Sequence, residues 1–435
     1  MSHIFTDDFE TSSAAAWKQK IQFELNGADY NQTLLTKTNE GITIKPFYHA
    51  DDFEKILVPS PPSSFKICQS IIIQTAEEAN LKAIASIEKG VNSIKFCASK
   101  PFDLTILFQN LLNKEIEFQF HLDFLSEQFI EELSQFLNSE TLYLNIDIIG
   151  NLAKTGNWFS NLNTDFNTLE NIIKKNKSSF IISVNTDLYQ NAGANTVQQV
   201  AYVLAHVNEY FNKFGGEIAN KIQFNFAIGS NYFFEISKLR AFRYLYQLIC
   251  EQYNTTYIAQ IFVEPSFRNK TANNYNNNVQ RASIEYMSGI LGGANTISNN
   301  ITNKTCLNQL VLLKEEFSNK NVQDITTDSY YIESITKQIA EKALEIFKEI
   351  EKGGGFLEQL KEGTIQRKIT ENATKEQIQF ETGQLILIGA NKYKTQHKAD
   401  KTDYVSELQT SKNIRKTVII PVIPKRLSEK MEQKQ

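Results

Sequence analysis

Cysteine is scarce in this sequence. Its four copies, Cys68, Cys97, Cys250 and Cys306, are scattered without a CxxC pair. Three lie in or beside apolar runs, which reads as buried free thiols rather than a disulfide framework or a zinc site. A reducing, cytoplasmic setting is the matching expectation. Histidine is equally thin: His3, His49, His121, His206 and His397 make no HExxH or HxH pattern, so no histidine-built metal centre is written in the chain. Long apolar runs are missing too. No segment reaches the eighteen or so continuous apolar residues of a membrane span, and the start, MSHIFTDDFETSSAAAWKQKIQF, carries acids without a signal-peptide core, so neither spanning nor export is expected. Nor does one sign of charge dominate. Lys+Arg 45 against Asp+Glu 49 leaves −4, which removes the electrostatic reason to expect a nucleic-acid partner.

What is present is alternation of short apolar runs with helical periodicity. Strands are expected at about 66–73, 93–97, 116–122, 141–147, 179–185, 221–228, 258–263 and 294–298, separated by helix patterns such as TAEEANLKAIASIEKG and TVQQVAYVLAHVNEYFNKFG. That order and length predict an α/β fold, a (β/α)8 TIM barrel with sites at the C-terminal ends of its strands. The competing doubly wound sheet lacks support, because no glycine-rich turn follows the first strand. Four regions result: an arm over 1–60, the barrel over 61–325, a helical extension over 326–393 ending in a short strand at GQLILIGANKY, and a tail over 394–435. In the tail, RKTVIIPVIPKRL is expected to be extended, since Pro421 and Pro424 exclude a long helix.

The arm offers Thr11, Ser12 or Ser13 as a helix cap, with Trp17, Ile21 and Leu25 on one face; Ile21, Phe23 and Leu25 also alternate as in a strand. Its Trp17, Ile21, Phe23, Tyr30, Phe47 and Tyr48 need a surface to cover them. The chain's own barrel and a partner subunit are the two candidates.

For chemistry, three acids stand at strand ends: Asp147, Asp187 and Glu264. In a closed barrel they would face a common mouth, as an acid/base pair or an oxygen site for Mg²⁺. His121, near the end of the third strand, is the histidine best placed to join them. His206, inside a helix, reads as a packed residue, and His49 follows PFY in the arm. On another helix Glu235 sits three residues before Lys238 and eight before Arg243, an arrangement for an ion network or for contact with an anion.

Several stretches also resemble a known family. IGSNYFFEISKLRAFRYLY (228–246), NNVQRASIEYMSGILGGAN (277–295), DSYYIESITKQIAEKALEIFKEIEKGGGF (328–356) and GQLILIGANKY (383–393) are similar, in order, to motifs of the methylmalonyl-CoA mutases, and WKQKIQFELNGADY resembles the N-terminal region of their small subunit. The resemblance implies a barrel that threads acyl-CoA and a flavodoxin-like domain that holds adenosylcobalamin, together interconverting (R)-methylmalonyl-CoA and succinyl-CoA. It also implies which subunit this is. Where catalytic chains carry SISGYH-x-QEAGA, this chain reads SVNTDLYQNAGA, so Leu188 stands for the histidine that hydrogen-bonds the thioester carbonyl. A leucine cannot donate. At the last strand LGG-x-QSLHTN has become LGGANTISNN, with Ser298 for a second histidine. The RQYAGF stretch is absent, and where the family has an Arg-Thr-x-x-Gln-Thr-Ser-Gly loop after the seventh strand this chain reads EPSFRNKTANN. After GANKY only 42 residues remain, without a D-x-H-x-x-G motif. The resemblance therefore implies the noncatalytic small subunit of a heterodimeric mutase in propionate metabolism, with no catalytic, cofactor or metal residues of its own, adenosylcobalamin residing in a large catalytic partner and the arm at the subunit interface. The alternatives are an independent barrel enzyme using Asp147, Asp187 and Glu264 or His121, and an acyl-CoA mutase chain served by a separate cobalamin-binding protein.

Overall fold

The computed structural model describes the chain except residues 1–10, 113–114, 138–141, 177–179, 273–274, 300–303, 317–323, 394–415 and 434–435; His3 and His397 lie outside the described residues. The arm begins with α1 (Ala14–Glu24), where the Ser13 hydroxyl accepts from the Ala16 N–H at 3.2 Å. That cap and the following Ala run settle the helix-or-strand ambiguity of Ile21–Leu25 in favour of helix. α2 (Tyr30–Leu34) and a hairpin of β1 (Thr36–Lys37) and β2 (Thr43–Ile44) follow.

Eight strands then close a parallel barrel in the order β10-β3-β4-β5-β6-β7-β8-β9: β3 (Lys66–Ile72), β4 (Ser93–Ala98), β5 (Glu117–Leu122), β6 (Leu142–Ile146), β7 (Phe180–Asn185), β8 (Ile222–Ile228), β9 (Gln260–Pro265) and β10 (Thr296–Asn299). These are the eight runs read from the sequence. Most of the strands carry apolar residues at alternate positions, on the face that meets the helices. The helices between them are α3 (Ala76–Ile87), α4 (Leu104–Leu107), α5 (Glu127–Phe136), α6 (Ile148–Thr155), α7 (Leu162–Lys175), α8 (Asp187–Ala192), α9 (Thr196–Phe214), α10 (Tyr232–Gln252), α11 (Tyr275–Leu291) and α12 (Lys304–Glu315). Capping is explicit at α9, where Asn195 and Gln198 satisfy each other's backbone N–H groups.

Beyond the barrel, α13 (Tyr330–Lys352) packs across α9 and α10. α14 (Phe356–Lys361) and α15 (Thr364–Glu381) continue the extension. One hydrophobic core runs from the strands through Ile335 and Ile339 of α13 and Ile365 and Ile369 of α15 to Ile419 and Val422 of the tail.

Residues 383–393 depart from expectation. They form turns with a single Ile388–Lys392 bridge instead of a strand. The Asn391 side chain explains this: its amide donates to Phe380 O at 2.8 Å and Leu385 O at 2.7 Å, and its oxygen accepts from Leu387 N at 2.7 Å, taking backbone groups a strand would have used. The closed barrel also offers no free edge for a ninth strand.

The second half of the arm lies on its own body. Tyr48 meets Tyr331 at 5.0 Å between ring centroids and Phe53 meets Tyr330 at 5.1 Å. Glu54 pairs with Lys337, and Ile42 is fully buried. The first helix differs: none of its residues is buried, Trp17 is 51% exposed and Phe23 84%.

The tail (416–433) is extended until α16 (Glu429–Glu432) and crosses the C-terminal face of the barrel. Ile419, Val422 and Leu427 are buried, whereas Val418, Ile420 and Ile423 face outward.

Candidate functional site

TIM-barrel lumens are ordinarily filled with layers of branched aliphatic side chains. Here the middle of the lumen holds amides. The Gln223 Nε2 of β8 donates to Gln119 Oε1 of β5 at 3.0 Å, to Asn145 Oδ1 of β6 at 3.1 Å and to Asn225 Oδ1 at 3.1 Å. Asn225 reaches Asn185 of β7 at 2.6 Å, and Gln119 takes Ser93 of β4 at 3.2 Å. β5 and β8 are not neighbours, so these bonds span the lumen. Gln119, Ser93 and Gln223 are fully buried. The amides plug the barrel.

Above the plug, at the C-terminal mouth, sits a charged cluster. Lys95 of β4 reaches across to Glu264 of β9 at 3.4 Å and lies over the Phe262 ring at 4.8 Å from its centroid. Burial opposes the Lys95 charge, yet Glu264, Cys97 and Asp187 together hold its pKa above the ordinary lysine value. Asp187 is the counterpart: burial and the Glu264 charge push its carboxyl up to about 7. His121 of β5 stands 3.7 Å from Asp123, which also pairs with Lys154 at 3.4 Å. Burial, with Lys154 and Lys95 adding like charge, pushes His121 down to about 3, leaving the imidazole neutral. Burial likewise pushes the Cys97 thiol up to about 11. The last strand adds Ser298, 3.0 Å from Ser70.

The structure thus brings together Asp187, Glu264 and His121, as the strand-end reading expected, and leaves Asp147 out. Asp147 caps α6, its Oδ1 accepting from Gly150 N at 2.7 Å, while Oδ2 accepts from Asn185 N at 2.9 Å. His206 Nε2 and the Tyr210 hydroxyl also meet its Oδ1, at 3.0 and 2.8 Å, and His206 Nδ1 meets the Tyr189 hydroxyl at 3.0 Å. Burial opposes the Asp147 charge, but His206 and the backbone donors hold its pKa below the usual value. Asp147 and His206 therefore lock the loop after β6 rather than face the mouth, which agrees with the packed reading of His206. His49 caps a turn in the arm.

Leu188 is 6% exposed and belongs to the hydrophobic core. Glu235 pairs with Lys238, whose ammonium also donates to Gln199 Oε1 at 2.9 Å and Ala227 O at 2.8 Å. Arg243 bonds Ala259 O at 3.0 Å, Gly293 O and Asn295 Oδ1. These groups bolt helix to barrel: Glu235 and Lys238 form the expected ion pair, while Arg243 bonds neutral oxygens. Among the described residues no group of three His, Cys, Asp or Glu side chains is arranged to hold a metal ion, and no helix is long and apolar enough to cross a membrane.

Lys95 and the amides escaped the sequence reading. The signal was there in SIKFC, LNID and IQFNFA, where polar residues recur at every second position of strands whose other face is apolar.

The description "Methylmalonyl-CoA mutase" belongs to the family matching residues 141–420. The methylmalonyl-CoA mutase small subunit of Porphyromonas gingivalis is 28% identical over 436 residues, covering 89% of this chain and 70% of that protein. The methylmalonyl-CoA mutases of Cereibacter sphaeroides and Escherichia coli are 31% and 30% identical over 49% of this chain, which spans 33% and 32% of their lengths. Among solved structures, the Yersinia pestis dihydropteroate synthase overlaps at a TM-score of 0.38 and 11% identity, over 58% of this chain and 92% of that one; this overlap carries no functional inference. With the mutase motifs, the barrel and a family match over more than half its length, the chain belongs to the methylmalonyl-CoA mutase family.

Proposed function

We propose that this chain is the noncatalytic small subunit of a heterodimeric, adenosylcobalamin-dependent methylmalonyl-CoA mutase, supporting a large catalytic chain that interconverts (R)-methylmalonyl-CoA and succinyl-CoA in the cytoplasm. The carrying observation is Leu188. It occupies the place of the carbonyl-binding histidine in the family motif and is packed into the core, where it offers no hydrogen to a developing oxyanion. The amide plug below supports the same reading, because a lumen crossed by side-chain bonds does not leave a path for a threaded thioester. The described residues do not fit a cobalamin of their own: their strands belong to the barrel and the arm hairpin, with no second parallel sheet to cradle one. Under this reading adenosylcobalamin is assigned to the large catalytic partner.

The partner surface we assign is the exposed apolar side of the arm. Trp17 and Phe23 of α1 are 51% and 84% exposed, and Leu57 at the far end of the arm is 80% exposed, while Tyr48, Phe53 and Glu54 tie the arm to α13. Co-expression with a longer family member that retains both histidines and D-x-H-x-x-G tests the reading. A one-to-one complex is expected, with isomerase activity that depends on the large chain. Saturable cobalamin binding at micromolar concentration, or succinyl-CoA formation, by the isolated chain would overturn it.

A further inference from the structure

The tail crosses three of the eight loops that leave the C-terminal ends of the strands. On the loop after β6, Val418 N and Ile419 N donate to Gly156 O at 2.8 and 3.1 Å, and Val422 N to Ala153 O at 2.8 Å. On the loop after β7, Lys425 N donates to Asn191 O at 3.0 Å. On the loop after β9, Leu427 N donates to Arg268 O at 2.9 Å and the Ser428 hydroxyl to Lys270 O at 3.2 Å. Arg268 returns a bond to Lys425 O at 3.0 Å and pairs with Glu376 of α15 at 2.5 Å. Glu432 pairs with Arg426 at 2.5 Å and accepts from Ala272 N at 2.8 Å.

The crossed loops are also stitched to one another. Ser266 Oγ donates to Gln190 Oε1 at 2.9 Å and Phe267 N to Asn191 Oδ1 at 2.9 Å. These loops carry or adjoin much of the charged mouth: Lys154 is in α6, Asp187 opens α8, and Glu264 lies two residues before Ser266. The remaining members, Lys95, Cys97 and His121, are on β4 and β5, strands whose own loops the tail does not bond, with β5 standing next to β6. One side of the mouth is therefore clamped by a separate chain segment whose hold rests on backbone bonds and three buried apolar anchors.

We propose that residues 417–432 are a strap that governs access to the barrel mouth: seated, it locks the loops after β6, β7 and β9 around the Lys95–Glu264 cluster, and unseated it frees them and opens the cluster to solutes. Cys97 is a built-in reporter. It is the partly exposed thiol of the cluster, whereas Cys68, beside Ser93 and Ser298 in the lumen, is buried, as are Cys250 in α10 and Cys306 in α12.

The test is alkylation by iodoacetamide at pH 8, followed thiol by thiol by mass spectrometry. It uses the full chain, the full chain with Val422→Asp, and a chain ending at residue 415. The expected result is a rise in the Cys97 rate of about tenfold or more in both variants, with Cys250 of α10, away from the mouth, unchanged, as for local rather than global opening. A Cys97 rate unchanged in the truncated chain overturns the proposal. So does a uniform rise at all four thiols, which would make the tail a contributor to general stability only.

Discussion

Asp187 and His121 belong to one cluster but act on stability in opposite senses. Asp187, pushed up to about 7, binds its proton more tightly in the folded chain than in the unfolded one, where a carboxyl titrates near 3.9. Stability therefore falls as pH rises from about 4 to 7 and levels off above that. His121, pushed down to about 3, stays neutral in the fold while the unfolded imidazole takes a proton below about 6.5; its contribution is lost as pH falls through that window. Asp187→Asn is expected to be more stable than the parent at pH 8, with the advantage gone by pH 4. His121→Gln should show the reverse, an advantage at pH 4 that vanishes by pH 7. Urea unfolding across pH 4–8 reads both. Leu188→His tests the proposed function from the same loop: it should cost about 2–4 kcal/mol, as a polar ring replaces a packed leucine, and yield no succinyl-CoA without the partner. Turnover by that single variant, assayed with added cofactor, would mean the site is nearer to competence than its side chains indicate. The strand-end acids were legible from position alone, whereas Asp147's true partners were not, because His206 and Tyr210 come from a helix some sixty residues on.

At the level of elements, the eight strands were legible because each is a short apolar run between helices whose caps and periodicity are clear. The tail was legible only as something needing a surface: Pro421 and Pro424 forbid a long helix, but which loops it crosses depends on tertiary contacts. Residues 383–393 misled because alternating apolar side chains say nothing about whether a sheet edge is free. Gly156 shows how tightly the tail is seated. Its φ is +76°, and a Cβ there would lie 2.7 Å from Ile419 O and 2.8 Å from Thr417 Cβ. Gly156→Ala is expected to lose about 1–3 kcal/mol and make the tail protease-sensitive. Gly215, at φ +81° with nothing within 4 Å, is the control: Gly215→Ala should lose only the backbone part, about 1 kcal/mol. Thermal unfolding with limited proteolysis distinguishes the two. Equal losses at both sites would show that the tail gives way without cost.

For the whole molecule, the arm sets the sharpest expectation. Trp17, Phe23 and Leu57 make few contacts that the isolated chain needs, so replacing all three with alanine should leave its melting temperature nearly unchanged, as for exposed positions generally. The same triple variant should weaken association with the large chain by about tenfold or more, because exposed aromatic anchors dominate interface energies. Sedimentation of co-expressed complexes on dilution measures the difference. An unaltered affinity would move the interface away from the arm.

The amide plug has a historical consequence. In an oily lumen one aliphatic residue can be exchanged for another and the neighbours shift slightly. Here the two amide hydrogens of Gln223 are shared among three acceptors, on Gln119, Asn145 and Asn225. Its loss would strand several buried oxygens at once, at about 1–3 kcal/mol each. Such a set behaves as a ratchet: the rim of the barrel is free to drift, while the lumen can change only by several substitutions arriving together. A lineage that acquired this interior would not readily reopen a channel, and its descendants should carry the five amides as a block.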